Sequence, residues 1–266
     1  MTVTLSVEEL IYCFYSEGLF EQGLGLKQVY FQDLSDEQMN LIFQAACRSL
    51  LSKDYLIYEQ RRFTLKKEIA RIISCLNGSS FTLKASKFLD DGYQDTMSVH
   101  FSEEGTYEHS LRYEGQVHVF RTISPEESYA TIGSYLGVSI QGKDEGVVLP
   151  LNQSEFESML TLIDENSDRV ADYVRTMGGD TENIQAFASD MVKNKGMMDN
   201  ILFLEYDKNR EPVLLDIIFV VNGERDTWII TRPEEGRYEV RKCNLSSLAV
   251  LMKKTSHAVT AALKSV

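Results

Sequence analysis

From Val213 to Val221 the chain is apolar except at Asp216, the longest such run in the sequence. Successive side chains of a strand point to opposite faces, so a strand apolar at every position has to be covered on both. The run therefore predicts a central strand and demands partners on either side. Ile201–Tyr206 precedes it, across the polar turn Lys208–Pro212. Asn222-Gly223 follows it with hairpin chemistry, and Thr227–Thr231 returns as the next strand with the only tryptophan, Trp228. Pro233 and Gly236 suggest a second turn before Tyr238–Arg241. Asn244 is the expected N-cap of a closing helix with Leu248, Leu251, Met252, Val259 and Leu263 on one face.

The same order of strands and then a capped helix occurs earlier. Phe81–Ala85, Met97–Phe101, Tyr107–Tyr113 and Gln116–Thr122 alternate as strands, with Gly105 and Gly115 at the turns. Ser124, Pro125 and Glu127 then open a helix running to about Leu136. Lys87–Thr96 reads as a long loop between the first two strands of this set. Ahead of it, capping boxes at Ser6/Glu9 and Ser35/Gln38 start two amphipathic helices, joined by a glycine-spaced connection through Gly23 and Gly25. A small hairpin, Tyr55–Tyr58 with Arg62–Leu65, and a third helix through Ile69, Ile72, Ile73 and Leu76 complete a winged-helix-like module. Between the two strand sets lie Val147–Leu149, read as a short edge strand, and three helical stripes breaking at Asn166 and at Gly178-Gly179.

These readings predict an α+β fold: a quasi-twofold central antiparallel sheet flanked by helical bundles, with the helical module at the N-terminal end. One two-lobed domain is expected over 1–266. Lobe one is 1–146, with a helical module 1–77, strands 81–122 and a helix 124–136. Lobe two is 147–266, with a bundle 152–193, strands 198–243 and a helix 244–264.

A net charge of −13 repels phosphate backbones, so the winged-helix-like module reads as packing rather than DNA binding, and nucleic acid is not an expected partner. No apolar stretch approaches the roughly 20 residues a membrane helix needs, and Met1–Ser6 leads into a helical pattern without a basic leader. A cytoplasmic protein without membrane insertion is expected. Cys13, Cys47, Cys75 and Cys243 are widely spaced, as reduced packing cysteines are.

Catalytic patterns are weak. Gly137, Gly142 and Lys143 fit the P-loop spacing, but Asp144 stands where Ser or Thr would hold magnesium, and a helix rather than a strand precedes them. His100, His109 and His118 recur every nine residues on successive strands; alternation puts His100 and His118 on the polar face, which His109 shares only in a particular register. They read as solvated strand histidines, with a metal-dependent enzyme using all three as the competing reading. No cofactor or metal is expected, and no enzymatic activity.

The order of elements over nearly the whole chain resembles the EspG family, cytosolic chaperones of ESX or type VII secretion systems. Phe63–Asn77 is similar to that family's helix leading into its first strand, and Trp228–Pro233 to its late strand ending at proline. With four prolines and abundant Ile, Lys, Ser and Tyr, the sequence looks more like a low-GC Gram-positive relative than an actinobacterial member. The resemblance implies a chaperone or adaptor that holds a secreted helical effector, of LXG type, or its small helical partner, soluble and export-competent. In the family the client docks against the sheet and C-terminal bundle beside a long strand-connecting loop. By position this implies Phe88, Leu89, Asp90, Asp91, Tyr93, Met177 and Met191 as contacts. An immunity protein covering a toxin's catalytic domain is the alternative of the same class, and a sheet edge offers a route to a homodimer.

Overall fold

Both N-terminal capping boxes form. The Ser6 hydroxyl accepts the Glu9 amide and the Glu9 carboxylate accepts the Ser6 amide, which starts α1 at Val7 (Val7–Ser16). Ser35 and Gln38 do the same for α3 (Asp36–Ser52). The computed structural model describes residues 1–89, 93–142, 144–165, 169–178, 182–207 and 209–263, with side chains to 256.

Two short segments differ from expectation. Thr2–Ser6 is a strand, β1, paired antiparallel with β7 (Val117–Ile123) rather than a lead-in to the helix. Its alternation puts Val3 and Leu5 in the core, a period too short to read against the helix that follows. The glycine-spaced connection is a helix, α2 (Phe20–Tyr30), whose buried Gly23 lies against the Tyr15 ring, where a Cβ would overlap it. Close approach to α1 overrides the low helix propensity of glycine. The small hairpin β2 (Leu56–Glu59) and β3 (Arg62–Leu65) and the helix α4 (Lys67–Gly78) follow as expected.

The first strand set is β4 (Phe81–Phe88), β5 (Gln94–Ser102), β6 (Gly105–Arg112) and β7, closed by α5 (Pro125–Tyr135). The edge strand β8 (Gly146–Asn152) leads into the helices α6 (Gln153–Asp164), α7 (Val170–Gly178) and α8 (Glu182–Lys193). The second set is β9 (Asp199–Tyr206), β10 (Pro212–Asn222), β11 (Thr227–Glu234) and β12 (Arg237–Cys243), closed by α9 (Leu245–Leu263). The main sheet runs β1-β7-β6-β5-β4-β9-β10-β11-β12-β8. Each strand set is a four-strand meander with an added edge strand, β1 or β8, that leads into a helical module. The fold is α+β with a large antiparallel sheet, as the sequence predicts.

β10 is central in that order, but burial covers only its second half: Ile218, Val220 and Val221 are buried while Val213 and Leu214 are exposed. A register shift between Leu214 and Asp216 separates the two halves. Pro233 lies within β11, beside a second shift between Thr231 and Glu234, so the turn is made at Gly236 instead.

Contacts divide the chain into two units, Met1–Thr82 with Ser98–Pro125, and Leu83–Met97 with Glu126–Val266. In the first, Leu10 and Phe14 of α1 and Ile69, Ile72 and Ile73 of α4 pack with Tyr107 and Phe120 of the strands. In the second, Phe156, Met159, Val174, Phe187 and Met191 of the helices pack with Leu149, Trp228, Ile230 and Val240. The buried Trp228 donates its indole N–H to Asp190 Oδ2 at 2.8 Å and meets Phe187 edge-on. Lys242, buried on β12 beside Trp228, is neutralised by Asp226 at 2.9 Å.

Gly223 is the close approach of the β10–β11 turn, since a Cβ there would overlap the Asp190 carboxylate. That carboxylate has little freedom, being held by Trp228 and by the Glu224 amide at 3.4 Å. Gly223→Ala is expected to cost about 1–3 kcal/mol in urea unfolding, as overpacking does; a neutral result would mean that the carboxylate swings aside.

A candidate partner-binding groove

The root of the β4–β5 connection is fixed on three sides, all within the second unit. The Phe88 amide donates to Asp199 Oδ1 at 2.9 Å, and the Leu89 amide to the Tyr93 carbonyl at 2.8 Å. Lys87 pairs with Asp95 at 3.9 Å and lies 4.5 Å over the Tyr135 ring. Burial pushes the Asp199 carboxyl above its ordinary value, opposed by the Phe88 amide and by Lys87. Held this way, the chain turns Phe88, Leu89 and Tyr93 outward, 40%, 41% and 57% exposed. The connection is shorter than predicted, because β4 extends to Phe88 and β5 begins at Gln94, both lengthened by pairing that local propensity does not reveal.

Phe88 and Leu89 line a groove of about 380 Å³ together with Lys193, Asn194, Lys195 and Met197 and with Val220–Asn222 of β10. The end of α8 contributes to that lining, and there Lys195 and Gly196 both take the left-handed conformation. Asn194 Nδ2 donates to the Asp190 and Asn222 carbonyls at 2.9 and 3.2 Å, tying that turn to β10. Asn222 Nδ2 in turn donates to the Leu136 carbonyl at 2.7 Å, at the end of α5. The groove thus joins two exposed apolar side chains to a third, Met197, and to two lysines, one of which, Lys193, pairs with Glu224 at 2.6 Å. Apolar anchors beside flexible cations on a fixed backbone suit the end of an amphipathic helix.

Of the residues implied by position, Phe88 and Leu89 meet in this groove. Tyr93 is exposed on the same connection, and Asp90 and Asp91 lie outside the described residues. Met177 is half-buried against the bundle core, and Met191 is fully buried within it, so Met191 offers no surface. Its helical spacing with Phe187 and Ile184 already marked the core face of α8. Lys193–Met197 was missed as a wall of the site. Its Asn-Lys-Gly turn followed by two methionines is the only signal it carries.

The histidines are not solvated. His100 and His118 are buried and His109 is half-buried, beside Phe120 with ring centroids 4.4 Å apart. Alternation predicts the polar face for His100 and His118, and the β6–β7 register, with His109 opposite Phe120, brings His109 to the same face. But that face lies under α1 and α4, so it is inside. The rings bond to one another in a row, with His109 using one nitrogen toward His100 and the other toward His118. They do not converge on one point, and among the described residues no group of three His, Cys, Asp or Glu side chains is placed to hold a metal. Gly137 follows α5 with positive φ and the Gly142 carbonyl accepts the Asn244 side chain at the N-cap of α9, so the P-loop-like spacing belongs to the helix-to-strand connection from α5 to β8. Lys143 lies outside the described residues. No helix in the described residues is long and apolar enough to cross a membrane.

A family model described as "Uncharacterised protein YfjC" matches residues 2–252. "Uncharacterized protein YfjC" of Bacillus subtilis (strain 168) is 37% identical over 239 residues, 89% of this chain and 93% of its own. The chain belongs to the YfjC family. Among solved structures, that of the Mycobacterium tuberculosis type VII secretion system chaperone EspG5 in complex with PE25-PPE41 dimer superposes with a TM-score of 0.65. It covers 94% of both chains at 10% identity, so the likeness is one of fold.

Proposed function

We propose that this YfjC-family protein is a non-enzymatic cytoplasmic chaperone or adaptor for a type VII secretion substrate. Its client is a helical effector of LXG type or that effector's small helical partner. One observation carries the reading: on an EspG-like fold, two of the positions that resemblance singles out, Phe88 and Leu89, line one groove with the exposed Met197, and its volume suits a helix end. The EspG5 structure holds a PE25-PPE41 dimer, which supports a protein client as the occupant here.

In mechanism, the client's apolar helix end leaves water against Phe88, Leu89 and Met197, and occlusion of that end prevents its self-association. The net charge of −13 keeps the complex dispersed. The hydrogen bonds at the loop root lower the ordering cost of binding, since little backbone has to be frozen.

The test is affinity purification of the whole protein from its native cytosol, followed by truncation of whatever co-purifies. Recovery of a protein bound through a long helical N-terminal domain is the expected result. Binding through a toxin's C-terminal catalytic domain would replace chaperone with immunity protein.

A further inference from the structure

Three histidines in hydrogen-bonded succession beneath a helical layer have no part in the groove. Thr82 Oγ1 is 3.0 Å from His100 Nδ1, His100 Nε2 is 3.4 Å from His109 Nδ1, and His109 Nε2 is 2.9 Å from His118 Nδ1. His118 Nε2 ends the row, buried and without a partner. A neutral imidazole has one donor and one acceptor. The row is therefore satisfied when every ring carries its proton on Nε2, with Thr82 donating at the head and the orphaned N–H at the tail. The reverse set of tautomers also completes the row. A single added proton is still accommodated, since one ring can donate both ways while the others take the matching tautomers and Thr82 Oγ1 accepts. A second proton breaks the row, because two doubly protonated rings can only donate and no arrangement of the third serves both.

The surroundings offer that proton no paired counter-ion. Toward this face α1 brings Glu9 and Cys13; Glu9 pairs with Lys53 through Oε2 at 2.7 Å, and its buried Oε1 bonds none of the rings. From α4 come Cys75 and Arg71, and Arg71 pairs with Glu104 of the β5–β6 turn at 3.7 Å. β6 adds Tyr107, β1 adds only Val3 and Leu5, and alternation puts Lys84 on the side of β4 that carries Thr82. Among the described residues no carboxylate pairs with any of the three rings. Charging the row would place cations side by side under the apolar faces of α1 and α4 with no counter-ion, a desolvation cost that separation from the sheet relieves.

We propose that the row is an acid-sensitive latch: neutral, it lets the N-terminal helices lie on β5–β7, and protonated, it drives them off. The latch lies entirely in the first unit and does not depend on the chaperone reading. Burial depresses His100 and His118 from 6.5 to about 4, and His109 further, with its two neighbours adding to the effect. A histidine depressed in the folded state makes the unfolded state the better proton acceptor. Its contribution to stability is whole above 6.5 and is lost as pH falls from there toward 4. Between pH 7 and 5 this amounts to about a 20-fold rise in the unfolding equilibrium for each of His100 and His118.

The experiment is a titration of ¹⁵N-histidine side chains, with amide-exchange protection corrected for the intrinsic rate, on the full chain carrying H257Q so that only the row reports. Expected are midpoints below about 5.5, with protection in α1 and α4 lost over the same range. Titration near 6.5, or depressed midpoints with α1 and α4 still protected, would overturn the latch. Urea unfolding of H100Q/H118Q at pH 7 and 5 is the second measurement. It should show a fall in stability smaller than that of the parent by two such factors, and an equal fall would also overturn it.

Discussion

L89D combined with M197D is expected to abolish capture of the helical client while leaving the chain folded. Leu89 and Met197 are 41% and 44% exposed and both line the groove. Truncating an anchor of this kind costs a complex about 2 kcal/mol or more, and an aspartate adds the desolvation of a carboxylate that the bound helix end cannot solvate. Each substitution should weaken binding by at least 30-fold. Both residues line one groove, so the combined loss need not be the product. Calorimetry against the isolated helical domain of the co-purified client measures it. Neither side chain is in either buried core, so the melting temperature should shift by no more than about 2 °C. Unchanged affinity in a folded double variant would remove the groove from the proposal.

Trp228→Ala is expected to be the most destabilising single substitution in the second unit, at about 3–5 kcal/mol in urea unfolding. It empties a fully buried site against Phe187 and leaves Asp190 with a buried carboxylate oxygen unpaired, a penalty in itself. Trp228→Phe separates the two effects, because it retains most of the volume and removes only the N–H. Asp190 also holds the Glu224 amide, and its carbonyl receives Asn194 from the turn that walls the groove. The phenylalanine variant should therefore stay folded yet bind the client several-fold more weakly, through a less well-fixed α8 end. A loss under 1 kcal/mol for the alanine variant would show that the bundle closes over the gap.

Much of this architecture could be read from local chemistry. The Ser6 and Ser35 boxes, the Asn222-Gly223 turn, the Asn244 cap and the alternation of both strand sets fix the elements, because each signal is contained within a few residues. What escaped depends on residues distant in sequence. Thr2–Ser6 becomes a strand only because β7 is there to receive it, and α2 forms because Gly23 fits the ring of Tyr15. The histidine face was judged polar from its own strands, and only the arrival of α1 and α4 makes it interior. The groove was half legible. Phe88 and Leu89 are apolar residues in an acidic loop, whereas Lys193–Met197 reads as an ordinary helix end until folding brings it into the same groove.

The two edge strands carry a kinetic consequence. Ser6 finds its partner at Val117, and Asn152 its partner at Arg237, so each pairing closes a loop on the order of a hundred residues and pays its entropy before any ladder bond repays it. Both meanders can assemble from neighbouring hairpins well before that. During refolding β7 and β12 therefore stand for a time with open backbone edges, the species most prone to pair with another chain. A dilute start and a slow final phase, rather than a fast concerted collapse, are what this sheet demands.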